Sequence, residues 1–178
     1  MRSYRVEGII IKRKNYGETD RILTVFSKNK GKIQVLAKGV RKITSRRSPH
    51  VELLNLSQLA LHVGSMPILT EAETINHFSS LKNDLQKASF AFYVCELIDG
   101  LCAEHQENRA VFNLLQRVLF DLEIEENPRR RIKRFEQELI ILLGFWPKER
   151  MFLEDSDRFI EDLMERKIKT KRILPEFS

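Results

Sequence analysis

The densest chemistry in this chain is cationic. Residues 38 to 50 read KGVRKITSRRSPH, in which Lys38, Arg41, Lys42, Arg46 and Arg47 stand among Gly, Ser, Thr and Pro with no acid between them. Arg presents a planar fork that fits phosphate oxygens, and Lys a compact point charge. Such a run repels itself and cannot be buried, so it forms either a solvated face or a contact for a polyanion. Lys12, Arg13, Lys14 and Arg21 precede it and add to the same charge. Neutralising several phosphates releases condensed counterions, so binding of this kind weakens steeply with salt. Tyr4, Tyr16, Phe26 and Phe78 are the aromatic residues at hand for base stacking. So few rings favour backbone tracking over base reading.

A second basic stretch, NPRRRIKR at 127 to 134, places Arg129, Arg130, Arg131, Lys133 and Arg134 at the start of an expected helix. Cations there oppose the helix dipole at about 0.3 to 1 kcal/mol each when exposed. One reading pairs them locally with Glu123, Glu125, Glu126, Glu136 and Glu138. The other is an anion site in which Arg130, Arg131 and Arg134 receive an acidic protein tail. EDSD at 154 to 157 has the composition of a metal-binding acid cluster but the position of helix N-terminal acids, which suit the dipole. Cys95 and Cys102 lie seven apart on one expected helix, roughly 10 Å along its axis, too far for a disulfide. His50, His62, His77 and His105 follow no ligand spacing, so no metal and no cofactor is expected. Neither a phosphate-cradling Gly loop nor a nucleophile elbow is present, and no enzymatic role is expected.

The elements that carry these residues change character near residue 80. YRVEGIIIKRKNY, RILTVFS, KIQVLAKG, VELLNLSQLALHVG and ILTEAETI read as five strands, the first three joined by GETD and KNKG turns. Ile33, Val35 and Ala37 mark the drier face of the third. Five strands in so short a stretch suit a small OB-type barrel, closed to remove its edges. After residue 80 the apolar period becomes helical. Asp84 caps a central buried helix, Asn108 a second, and Pro128 opens a third that Gly144 ends. Ser156 or Asp157 caps a fourth, and the tail IKTKRILPEFS shows no periodicity. Trp146, beside Phe145 and Pro147, reads as a plug after the third helix. The expected fold is α+β: an OB-type barrel over residues 1–80, then an all-α domain over 81–178. Residues 1–50 hold 14 Lys and Arg against 3 acids, residues 51–80 no cation and 3 acids, and residues 81–178 17 cations against 19 acids. The positive charge is therefore concentrated in the barrel half, which points to nucleic acid. No apolar run reaches the ~18 to 20 residues of a membrane span. No apolar signal core follows the N-terminus, so a cytoplasmic protein is expected.

YRVEGIIIKRKNYGETDRILTVFSKNKGKIQVLAKGVRK closely resembles the N-terminal domain of the bacterial recombination mediator family RecO, through the pattern GE-D-RILT-FS---GK-----KGVR. LLGFWP at 142 to 147 resembles a second block of that family, at the end of a helix. The resemblance implies a protein that binds single- and double-stranded DNA and anneals complementary strands. It also implies action with RecR to help RecA replace single-strand-binding protein, whose acidic C-terminal tail it contacts. Its place would be the nucleoid. Many members carry four cysteines after the second block as a zinc module; KERMFLEDSDRFIEDLMERKIKTKR carries none. The chain is also shorter than is usual in the family, which implies that the last helices are missing or reduced. A different class stands beside this one: an interaction adaptor whose barrel meets acidic proteins and touches nucleic acid incidentally. An RNA-binding barrel would need a preference that no residue here specifies.

Overall fold

The computed structural model describes residues 2–152 and 155–173. Five strands, β1 (Ser3–Tyr16), β2 (Asp20–Ser27), β3 (Gly31–Ala37), β4 (Leu56–His62) and β5 (Ile68–Asn76), close into a barrel in the order β1-β2-β3-β5-β4. All neighbours are antiparallel except β3 and β5, which meet in parallel at Leu36 and Ile68. The fold class is α+β, as the periodicity implies. Long β1 serves two partners, β4 through residues 3–9 and β2 through residues 8–16, with an irregularity between Ile10 and Lys12. Ile33, Val35 and Ala37 face inward and are buried with Leu23, Val25, Leu59 and Leu61.

The helices are α1 (Ser79–Asn83), α2 (Leu85–Leu101), α3 (Arg109–Ile124), α4 (Pro128–Leu142), α5 (Ser156–Met164) and α6 (Lys169–Ile173). The chain divides into two compact units: residues 1–77 with 103–109, and residues 78–102 with 110–178. In the first unit, 103–109 lies along β3. Glu104 bridges Lys32 in parallel, the His105 amide donates to the Lys32 carbonyl at 2.9 Å, and Arg109 reaches Asn29 at 2.9 Å. In the second, α2 is buried nearly all round, from Phe90 and Tyr93 to Leu97 and Ile98. Asp84 caps it by accepting the Lys87 amide at 3.1 Å, and Asn127 caps α4 ahead of Pro128.

Four expectations change. Residues 51–55 are not strand: a 3-10 turn spans Ser48–Val51, and Leu54 takes φ 71°. The Asn55 side chain donates to the Pro49 carbonyl at 2.9 Å, which folds this segment back and delays β4 to Leu56. The cap of α5 is Asp155, which accepts the Asp157 amide, and not Ser156 or Asp157; Glu154 lies outside the described residues. The tail is helical at Lys169–Ile173, because Glu96 of α2 accepts the Lys169 and Thr170 amides, both at 2.8 Å; residues 174–178 lie outside the described residues. Trp146 is half-buried and packs edge-on to Phe152 and Phe159, centroids 4.8 and 5.8 Å away. It anchors this small aromatic cluster.

Candidate nucleic-acid interface

Register brings the end of β1, the start of β2 and the end of β3 together, since Tyr16 pairs with Asp20 and Arg21 with Ala37. The basic segment leaves β3 at this end and folds back on the β1–β2 turn. Gly39 takes φ +64°, a left-handed conformation that suits glycine. Its amide donates to Asp20 Oδ1 at 2.7 Å, and the Arg41 amide donates to the Thr19 carbonyl at 2.9 Å. The bond from Gly39, with help from the Thr19 hydroxyl and nearby Lys38 and Lys42, holds the Asp20 carboxyl below its ordinary pKa against a partial desolvation. A single acid thus organises a run that contains none.

Lys38, Lys42, Arg46 and Arg47 line one depression of about 500 Å³ together with Thr19, Asp20, Gly39, Thr44 and Ser45. Lys38, Arg41, Lys42 and Arg46 are exposed. Arg41 also donates to the Gly17 carbonyl at 3.2 Å, which sets it against the β1–β2 turn. Arg47 is tied down: its guanidinium donates to the carbonyls of Leu69 and Lys38, each at 2.8 Å. It keeps its charge at the groove while stitching the segment to β5.

The strand cations divide. Side chains alternate across a strand, so Arg13 and Arg21, opposite Leu23 and Asn15, share one face, and Lys12 and Lys14 the other. Leu23 and Ala37 belong to the barrel core, which puts Arg13 and Arg21 at the barrel mouth. There both pair with Glu52, Arg21 at 3.6 Å. Lys12 and Lys14 are exposed on the outer face. Two aromatic residues counted for stacking, Phe26 and Phe78, are fully buried; Tyr4 is half-buried, and Tyr16 is 54% exposed beside the β1–β2 turn. The anchoring role of Asp20, the pairing of Glu52 and the apex position of Ile43 to Ser45 come from the structure. For Asp20 a signal existed, since Asp opening a strand after a Gly turn suits side-chain-to-backbone bonding.

In the helical unit the three arginines part company. Arg130 and Arg134 are exposed on α4, whereas Arg131 is 6% exposed. Its Nε lies 2.5 Å from Asp121 of α3, with Glu138 at 3.9 Å from Nη1, so its charge is engaged by acids of its own helical unit. Lys133 binds Glu136 and Asp157 at 3.2 and 2.9 Å. Cys95 and Cys102 are buried thiols that form no disulfide. Among the described residues, no group of three or more His, Cys, Asp or Glu is placed to hold a metal ion, and no helix is long and apolar enough to cross a membrane.

Residues 1–78 match the family model described as Recombination protein O N terminal, and residues 82–149 match Recombination protein O C terminal. The chain belongs to the RecO family. A protein named DNA repair protein RecO from Dehalococcoides mccartyi is 37% identical over 148 residues, which is 83% of this chain and 58% of that relative. RecO relatives from Roseiflexus and Acetivibrio thermocellus are 34% and 33% identical, each over 83% of this chain and over 52% and 59% of their own lengths. The chain thus spans little more than half the length of these RecO relatives. The RecO models cover the whole barrel and helices α2 to α4, and end before α5.

Proposed function

We propose that this chain is a DNA-binding recombination mediator of the RecO kind. It holds single- and double-stranded DNA by the phosphates, anneals complementary strands, and with RecR helps load RecA onto DNA coated with single-strand-binding protein. It works without catalytic turnover and at the nucleoid, in the cytoplasm. The observation that carries this reading is the groove in which Lys38, Lys42, Arg46 and Arg47 meet on the barrel, with Arg41 beside them. Two polyanions repel; a surface that partly neutralises each lowers the charge opposing base pairing. Lys12 and Lys14 extend the cationic surface on the outer face, and Arg13 and Arg21 contribute a charge partly offset by Glu52. Arg130 and Arg134, exposed on the first turns of α4, are the residues proposed to meet the acidic tail of single-strand-binding protein.

Fluorescence anisotropy with a labelled single strand across a salt series tests the reading. Each single-strand phosphate neutralised contributes about 0.7 to the slope of log K against log salt. K38A/K42A/R46A therefore makes the slope less negative by about two units, with unchanged circular dichroism. Wild-type protein accelerates annealing of complementary strands, and the triple variant does not. Absence of a complex at low salt overturns the proposal in favour of the adaptor reading.

A further inference from the structure

The loop carries one residue that charge does not explain. Ile43 is fully exposed, and no other large apolar side chain among the described residues exceeds 83% exposure. It sits between Lys42 and Thr44 at the apex of the cationic segment. The Ser45 amide donates to the Lys42 carbonyl at 2.9 Å, which makes Ile43 and Thr44 the two central residues of a tight turn. Gly, Pro, Asn, Asp and Ser favour such positions, and two β-branched residues in a row run against local preference. The turn is not loose. Asp20 and the Thr19 carbonyl hold one flank through Gly39 and Arg41, and Arg47 holds the other through the carbonyls of Lys38 and Leu69. A stiff apolar side chain is thus presented to solvent on an anchored turn, beside a groove lined by four cations.

We propose that Ile43 is a wedge that packs against base faces of the strand whose phosphates the loop holds, and so adds to the barrel a preference for unstacked, single-stranded DNA. The inference rests on the DNA-binding reading above. Inserted apolar side chains displace stacked bases in other architectures. In a duplex, base faces are covered by stacking, and reaching them costs unstacking energy; in a single strand they are open. Cations cannot make this distinction, because both forms carry phosphates. Burying the isoleucine removes apolar surface from water only when such a face is available.

The experiment compares wild type, I43S, I43L and K42A on a single strand carrying 2-aminopurine and on the matching duplex, across a salt series. I43S is expected to weaken single-strand binding about five- to ten-fold at every salt concentration, with the slope unchanged. Duplex affinity stays at wild-type level, and the fluorescence change that reports unstacking is lost. I43L retains wild-type behaviour, and K42A lowers the slope on both substrates. Ile43 is fully exposed, so circular dichroism is expected to be the same for all four proteins. Single-strand affinity of I43S equal to wild type, or equal losses on strand and duplex, overturns the wedge while leaving DNA binding intact. Wild-type protein that binds neither substrate overturns the DNA-binding reading itself, and the wedge with it.

Discussion

At the residue scale, what matters for each cation is the acid or carbonyl that the fold sets against it. Arg130, Arg131 and Arg134 differ little as sequence, yet Arg131 is buried against Asp121 while its neighbours face solvent. Removing the buried member leaves a carboxylate that has lost its partner, whereas trimming an exposed one removes little. R131A is expected to lower unfolding stability by about 1 to 3 kcal/mol; the loss is modest because Asp121 retains 37% side-chain exposure. R130A and R134A stay within about 0.5 kcal/mol. Urea midpoints for the three variants check this, and an R131A midpoint equal to that of R130A would contradict the inward pairing. Cys95 illustrates the opposite environment: burial, with Asp99 adding to it, pushes its thiol up to about 12, so it is an inert core residue.

At the scale of elements, the barrel depends on a segment that arrives from beyond α2. Gly31 opens β3 at φ +65°, and a Cβ there would lie 2.0 Å from the Gln106 carbonyl oxygen. Both the backbone conformation and the close approach require glycine. G31A is expected to cost at least about 2 kcal/mol, combining left-handed strain with displacement of 103–109. Hydrogen exchange locates the damage: protection of the His105 amide, which donates to the Lys32 carbonyl, falls before that of the β1–β2 ladder. The helical unit uses an analogous long-range tie. Glu96 accepts the amides of Lys169 and Thr170 and pairs with Arg166 at 2.7 Å, and so starts α6 from α2. Burial pushes its carboxyl up, and the bonds from Thr170, Arg166 and Lys169 outweigh that and leave it below its ordinary pKa.

Across the whole molecule the chain carries a formal charge of +6, with the excess in its first 50 residues. Acidification raises that charge and removes carboxylates that the fold uses. Asp20, Glu96, Asp157 and Glu161 all have lowered folded pKa values. A lowered acid contributes stability that is present above its unfolded pKa and lost as pH falls through the folded one. Glu136 runs the other way: desolvation raises it, although Ser156, Tyr93 and Lys133 favour its charged form, so its contribution is present at low pH and lost as pH rises through its folded pKa. Four groups against one predict a net fall in the thermal midpoint from pH 6 to pH 3. Calorimetry at constant ionic strength measures it, and a midpoint that rises on acidification would show that Glu136 dominates.

Local order along the chain was enough for most of the architecture. Alternation at Ile33, Val35 and Ala37 marks an inward strand face, and Asp84, Asn127 with Pro128, and Gly144 mark helix ends, because capping and periodicity act over a few residues. The basic segment was equally legible, since charge density is a property of composition. What the tertiary structure alone decided was the availability of each side chain. Glu52 takes up Arg13 and Arg21, two carbonyls hold Arg47, Asp121 pairs with Arg131, and Glu96 starts the helix Lys169–Ile173. Those partners lie 9 to 74 positions away from the groups they bind. No window of neighbouring residues contains the energy of such contacts, because only chain folding brings the two groups within bonding distance.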